Sequence, residues 1–299
     1  MTFHCCHHQI PLEKKALILG ILNVTPDSCS DGGNFFDPQK AVARGLELIA
    51  EGADIIDVGG ESTRPGAVPI SPEEEIRRVL PVIQGLRTKT DAPISIDTSK
   101  AAVAEAAIEA GASIINDVTS LSDPKMGEVA ASTRAGLILM HLQGTPLAMQ
   151  TAPSYPNDDV ATVVANFLTQ ARAKALRYGV QKNALVLDPG IGFGKTVAHN
   201  FSLLKAIPQL TQLGSPLLLG HSRKWFLNGV SGDYSPRALE ERFIPSIAVT
   251  SIARYHGAML FRVHDPRAHR EAVRTTEQLL SYHDTASKYP NDSHCFFKR

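Results

Sequence analysis

No part of this 299-residue chain holds the roughly 18–20 uninterrupted apolar residues that a membrane span needs. The N-terminus also lacks the basic-then-apolar order of a signal peptide. An excess of one charge is missing too. Thirty Lys and Arg balance thirty Asp and Glu, which argues against a nucleic-acid or membrane-surface partner while leaving room for a local anion pocket. Cysteine is scarce: of four, only Cys5 and Cys6 are close together, so no disulfide framework is expected and a reducing cytoplasm is. Internal repeats, low-complexity tracts and linkers that would split the chain are likewise not found. What remains is ordinary globular composition, 43% hydrophobic and 20% charged, enough for one sizeable core.

The run His4, Cys5, Cys6, His7, His8 imitates a metal cluster, but adjacent ligands rarely close a tetrahedral site without spaced partners, and none follow. Residues 1–16 are therefore expected to be a disordered tail, as are the polar, aperiodic residues 286–299. Residues 17–285 are expected to form a single domain.

Within that span, eight short apolar runs alternate with helix-compatible segments. The runs are 17–22, 54–58, 93–97, 113–117, 136–140, 184–188, 216–220 and 258–262. Ser71 followed by Pro72 and the acids Glu73 to Glu75 reads as a helix start, and Gly52, Gly111 and Gly179 stand where helices should end. Eight βα units predict a (β/α)8 TIM barrel, α/β in class, with an open doubly wound sheet as the alternative. The longest connections, 23–37, 60–71 and 141–157, all follow strands, on the side where such barrels carry their sites.

Polar residues end these runs: Asn23, Asp57, Asp97, Asn116 with Asp117, Asp188, and Arg262, with Lys224 five residues past PLLL. A lone aspartate at a strand end often just caps the next helix. After Asp97, however, Thr98 is available to cap, which frees the carboxylate to point inward. Two carboxylates and a carboxamide in one cup suit the donor/acceptor edge of a flat heterocycle, since a carboxylate facing an N–C–NH2 edge makes a charge-assisted two-point contact. Asn23 offers a neutral oxygen suited to a hard cation. Arg64, stiffened by Pro65, would join Arg262 and His264 in an anion site. Two lookalikes fail: DPGIGFGKT has Pro189 where a phosphate loop needs glycine, and GHSRK has Lys224 where a nucleophile elbow needs glycine.

The motifs ILNVTPDS, DVGGESTRPG, SIDT, IND, MHLQGTP, LDPGIGFGK, SRK and RVHD, in that order, resemble those of the dihydropteroate synthases. The resemblance runs from about residue 17 to about 280 and implies condensation of 6-hydroxymethyl-7,8-dihydropterin diphosphate with 4-aminobenzoate. It also implies a homodimer, Mg2+ and competition by sulfonamides. By this resemblance Asp97, Asn116, Asp188 and Lys224 hold the pterin, with Met140 and Phe193 as walls. Thr63, Arg64, Arg262 and His264 contact the diphosphate. Ser222, Pro65, Cys29 and the helix start after Ser222 receive aminobenzoate, and Asn23 takes Mg2+. Asp97, Lys224 and Arg64 would be catalytic. Cys29 stands where the family usually has phenylalanine, and the lost contact area, worth on the order of 1–2 kcal/mol, implies weaker aminobenzoate binding. Two alternatives share the barrel: a pterin-dependent methyltransferase acting with a corrinoid protein, and a pterin-binding paralogue without turnover.

Overall fold

The computed structural model describes residues 1–13, 15–25, 37–62, 68–144, 149, 153–231, 238 and 240–282. The chain opens on an ordered element, which corrects the expected N-terminal tail. β1 (Thr2–Cys5) and β2 (His8–Pro11) pair antiparallel, with Cys6 at φ 52° in the turn. The two-residue period of a strand puts Phe3 and Cys5 on one face, both fully buried. That face, with Leu12, packs under Leu17, Ile114, Ile138 and Leu260. The backbone N–H of Cys6 donates to Arg134 O at 2.8 Å, tying the turn to the chain ahead of the strand that starts at Gly136. The hairpin plugs the amino-terminal end of the barrel. Of its His and Cys residues only Cys5 is fully buried, and among the described residues no group of His, Cys, Asp or Glu is placed to hold a metal ion.

Gly136 shows how tightly the plug fits: a Cβ there would lie 2.6 Å from Phe3 Cζ and 2.9 Å from Cys5 Cβ. Gly136→Ala is expected to lower folding stability by about 1–3 kcal/mol through overpacking, read as a shift in urea midpoint at unchanged slope. A midpoint equal to wild type would mean that the hairpin yields freely.

Eight parallel strands follow: β3 (Leu17–Asn23), β4 (Ile55–Gly59), β5 (Ile94–Asp97), β6 (Ile114–Asp117), β7 (Gly136–Met140), β8 (Leu185–Asp188), β9 (Leu218–Leu219) and β10 (Leu260–Val263). All eight expected runs are therefore strands. They hydrogen-bond in the order β8-β7-β6-β5-β4-β3-β10-β9, and a parallel bridge from Leu187 to Leu217 joins the two ends. The sheet is closed, as the barrel reading requires.

The covering helices are α1 (Pro38–Ala50), α2 (Pro72–Arg87), α3 (Ala101–Glu109), α4 (Met126–Thr133), α5 (Val160–Arg177), α6 (Val197–Lys205), the single turn α7 (Ile207–Leu210), α8 (Phe243–Tyr255) and α9 (Pro266–Ser281). Ser71 caps α2 as expected, its side chain accepting from Glu74 N. At α3, Thr98 Oγ1 takes the N–H of Lys100, while Asp123 takes that of Ala101. Asp97 is left out of the capping, as the sequence suggested. No helix among the described residues is long and apolar enough to cross a membrane.

Candidate active site

Strand alternation builds the site in layers. Ile55, Ile114, Ile138, Val186, Leu218 and Leu260 belong to the cluster filling the barrel interior. Residues two positions further along point the same way. From those strands they are Asp57, Asn116, Met140, Asp188, Gly220 and Arg262, so the apolar floor gives way to a polar layer at the carboxyl mouth. One register row crosses four neighbouring strands: Asn23 pairs with Gly59, Gly59 with Asp97, and Asp97 with Asn116. Gly59 brings no side chain to that row. A Cβ built on it would stand 3.6 Å from Asp97 Oδ2 and 3.8 Å from Asn23 Oδ1.

Arg262 organises the centre of the cup. Its Nε donates to Asp57 Oδ2 at 2.6 Å and its Nη2 to Asp97 Oδ2 at 2.7 Å. The sequence reading placed Arg262 on the diphosphate; the structure holds it between two carboxylates inside the barrel. Its guanidinium pKa is driven up by Asp57 and Asp97 against the opposing effect of burial, so the cation is permanent. Asp57 is completely buried and also accepts a long contact from Asn116 Nδ2 at 3.4 Å. It was seen at a strand end in the sequence but given no role, although it carries the same signal as Asp97.

Asp97 is pushed up to about 7, first by burial and then by Asp57 and Glu75, with Arg262 and Lys224 pulling the other way. Its Oδ1 is buried without a partner among the described residues. Such an acceptor is costly to leave unmade, and a ligand donor would satisfy it. Asp188 Oδ1 accepts from Gly190 N at 2.7 Å, while its Oδ2 lies 3.8 Å from where a Cβ on Gly220 would be. Burial raises Asp188 as well. Lys224 is lowered to about 7 by burial, opposed by Asp188. Its Nζ donates to Ile191 O and stands 4.0 Å over the centroid of the Phe193 ring, a cation–π contact. Met140 is buried at the end of β7, opposite Asp188 in register.

Ser222 and His264 meet: Ser222 Oγ accepts from His264 N at 3.3 Å and lies 3.1 Å from His264 Nδ1. Arg223 between Ser222 and Lys224 has φ 57°, a conformation held by Ser246 Oγ accepting its N–H and by an ion pair to Asp265. The helix start expected after Ser222 is corrected, because Trp225–Ser231 is a 3-10 segment and the next α-helix is α8. The stretch after Lys224 therefore lacks a full α-helical dipole. His221 is buried against Ser246 O and Thr250 Oγ1, both at 2.9 Å, and burial lowers it to about 3. Trp225, by contrast, is exposed.

The structure thus gathers Asn23, Asp97, Asn116, Met140, Asp188, Phe193, Ser222, Lys224, Arg262 and His264 around one mouth. Cys29, Thr63, Arg64 and Pro65 lie outside the described residues. One cluster was missed: Lys100 Nζ bridges Glu75 at 2.6 Å and Glu61 at 3.0 Å, while Glu61 Oε1 accepts from Ile70 N. This ties Glu61 both to Ile70 and, through Lys100, to α2 and α3. The acid of α2 that joins it, Glu75, looked like a first-turn dipole partner in the sequence.

A closed parallel barrel with buried acids, amides and a lysine at its carboxyl mouth defines a βα-barrel enzyme built to grip a small polar ligand. The family described as pterin binding enzyme matches residues 19–264 of the chain. Dihydropteroate synthase of Escherichia coli (strain K12) is 45% identical over 264 residues, covering 88% of this chain and 92% of that protein. The Synechocystis sp. synthase is 41% identical over 267 residues, covering 89% and 91%. Among solved structures, the Yersinia pestis dihydropteroate synthase with a sulfonamide drug complex has a TM-score of 0.86 at 40% identity, covering 94% of this chain and 100% of that one. The Xanthomonas albilineans dihydropteroate synthase with 7,8-dihydropteroate has a TM-score of 0.84 at 39% identity, covering 95% and 100%. The chain belongs to the dihydropteroate synthase family of pterin-binding enzymes.

Proposed function

We propose that this chain joins 6-hydroxymethyl-7,8-dihydropterin diphosphate to 4-aminobenzoate, releasing 7,8-dihydropteroate and diphosphate. The observation that carries the reading is the polar mouth in which Asp97, Asn116, Asp188 and Lys224 converge around Arg262. Asp97 Oδ1 and Asp188 Oδ2 are acceptors suited to the N–H edge of a pterin, and Asn116 adds an amide. Phe193 and Met140 provide faces for the fused ring. Ser222 and His264, close together just past the ends of neighbouring strands, suit an anionic group arriving from the other side.

The chemistry fits this division. The pterin methylene–oxygen bond breaks with its electrons leaving on diphosphate, and the amine lone pair forms the new carbon–nitrogen bond before losing its proton. An electron-rich dihydropterin spreads the positive charge that develops, and ionised Asp97 stabilises it in a site screened from water. Asp97 anchors and stabilises in this scheme. No covalent nucleophile is needed, and approach of a held amine supplies the orientation.

Mg2+ belongs to the same proposal. Asn23, at the end of β3, offers a neutral amide oxygen at the mouth, of the kind a hard, partly hydrated cation takes. When bound, the ion would neutralise charge on the departing diphosphate. We also propose a homodimer and residence in the cytoplasm. Ile244, Ile252 and Tyr255 on α8 are exposed apolar side chains, which supports a self-association face. Light scattering should give twice the chain mass, and Ile252→Glu should return it toward the single-chain value.

The deciding assay uses the purified chain with both substrates and Mg2+, following dihydropteroate and diphosphate together. Equal amounts of the two products support the synthase. Pterin binding without diphosphate release identifies a paralogue lacking turnover, and methyl transfer from a methylated folate to a corrinoid protein identifies the methyltransferase.

A further inference from the structure

Lys195 closes the DPGIGFGK segment, the stretch whose spacing imitates a phosphate loop. Its side chain turns inward rather than toward the mouth and is only 3% exposed. Three acceptors surround the ammonium: Gly190 O at 2.9 Å, Phe193 O at 2.9 Å and His141 Nδ1 at 3.0 Å. His141 O stands further off at 3.4 Å. An ammonium has three hydrogens, and three close acceptors satisfy them. His141 can accept at Nδ1 because burial, together with Lys195, lowers its imidazole to about 3, leaving it neutral. Burial lowers the Lys195 pKa well below its ordinary value, with Lys224 adding to the fall and Asp188 opposing it; what favours the protonated form is the geometry, three acceptors within 3.0 Å of one nitrogen. The acceptor set completes the case for a buried cation.

The loop wraps around this one atom. Gly190, Gly192 and Gly194 sit at φ 66°, 82° and 62°, which suits glycine. A Cβ on Gly190 would come within 1.9 Å of His141 O, and one on Gly194 within 2.5 Å of Gln143 O. The glycines therefore allow the loop to lie directly on the backbone that follows β7. Lys195 then bonds both layers from within. Asn200 Oδ1 holds Gly192 N at 2.7 Å from the α6 side. The same turn delivers Gly190 N to Asp188 Oδ1, places Phe193 beneath Lys224, and offers Ile191 O to the Lys224 ammonium.

We propose that Lys195 is a positioning residue for the pterin side of the reaction: its buried ammonium holds the 190–194 loop in the conformation that aims Asp188 and Phe193 into the cup. It touches neither substrate. The assignment rests on the synthase reading above, and it gives the lysine of this motif an internal role in place of a phosphate-binding one.

Lys195→Met keeps length and volume while removing the charge and all three donations. Wild-type protein is assayed first, because failure to form product there rejects the synthase reading and leaves this assignment to pterin binding by calorimetry. With Lys195→Met, the dissociation constant for 6-hydroxymethylpterin is expected to rise at least tenfold. The KM for aminobenzoate at saturating pterin diphosphate should stay within twofold, and inhibition by inorganic diphosphate should be unchanged. An equal loss toward both substrates, or no loss toward either, overturns the proposal. Weakened diphosphate inhibition overturns it too, by making Lys195 an anion ligand. If Lys195→Met does not fold, as judged by its circular dichroism and melting, His141→Leu carries the test. It removes one of the three acceptors, and a roughly threefold weaker pterin affinity with unchanged aminobenzoate KM is expected. Pterin affinity equal to wild type in that variant would also overturn the proposal.

Discussion

Arg262→Met is expected to lower folding stability by about 3–5 kcal/mol, because it strands two buried carboxylates whose shared partner is the guanidinium. Asp57 and Asp97 receive Nε and Nη2 at 2.6 and 2.7 Å, and both side chains are almost wholly shielded from water. Methionine fills much of the volume but answers neither charge. The loss should depend on pH in a definite direction. Asp97 already sits at about 7 in the folded protein, and Arg262 is the strongest influence holding it down. Without Arg262 it rises further. A carboxyl raised in the folded state contributes full stability below its unfolded pKa and loses it as pH climbs through the folded value. Below pH 7 Asp97 is largely protonated in both proteins, so its share of the difference vanishes. Above pH 7 wild type ionises while the variant must stay protonated or bury a bare charge, so the gap widens. Urea denaturation at pH 6 and pH 8.5 measures both parts. A loss under 1 kcal/mol at pH 8.5 would mean that Asp57 and Asp97 do not depend on this cation.

Much of the mouth was legible because two periodicities act together. The apolar runs mark the strands, and the two-residue alternation carries the inward direction from Ile114 to Asn116, from Val186 to Asp188 and from Leu260 to Arg262. Partnership was not legible. A strand-end arginine reads as an anion ligand, and only closure of the barrel, which brings Arg262 from β10 across to β4 and β5, shows that it also bridges two carboxylates. The hairpin was hidden for a different reason. Its strands are four residues each, and the buried alternation of Phe3 and Cys5 is interrupted by histidines that look like ligands. Its stability comes from the barrel it plugs, so nothing local announces it. Lys195 illustrates a third limit: spacing places a lysine in a loop but does not tell which side of the loop its ammonium faces.

Asp97→Asn should separate activity from stability in the opposite sense. The amide keeps the shape, Arg262 retains Asp57, and a group that resists ionising when folded is replaced by one that never ionises. Stability at pH 8 is therefore expected to equal or exceed wild type. Activity should fall steeply. An ionised Asp97 contributes a charged hydrogen bond to the pterin and a counter-charge to the cation formed as diphosphate departs, together worth about 3 kcal/mol, or roughly 100-fold in kcat/KM. The pH profile gives a second reading. In the free protein Asp97 is raised to about 7 and Lys224 lowered to about 7. The form with both groups charged is thus most populated near neutrality, and kcat/KM should trace a narrow bell whose limbs belong to the coupled pair. Replacing Asp97 removes the rising limb and leaves a plateau at low pH that falls only as Lys224 loses its proton. A variant that kept wild-type kcat/KM, or kept the full bell, would place the stabilising charge on some other residue.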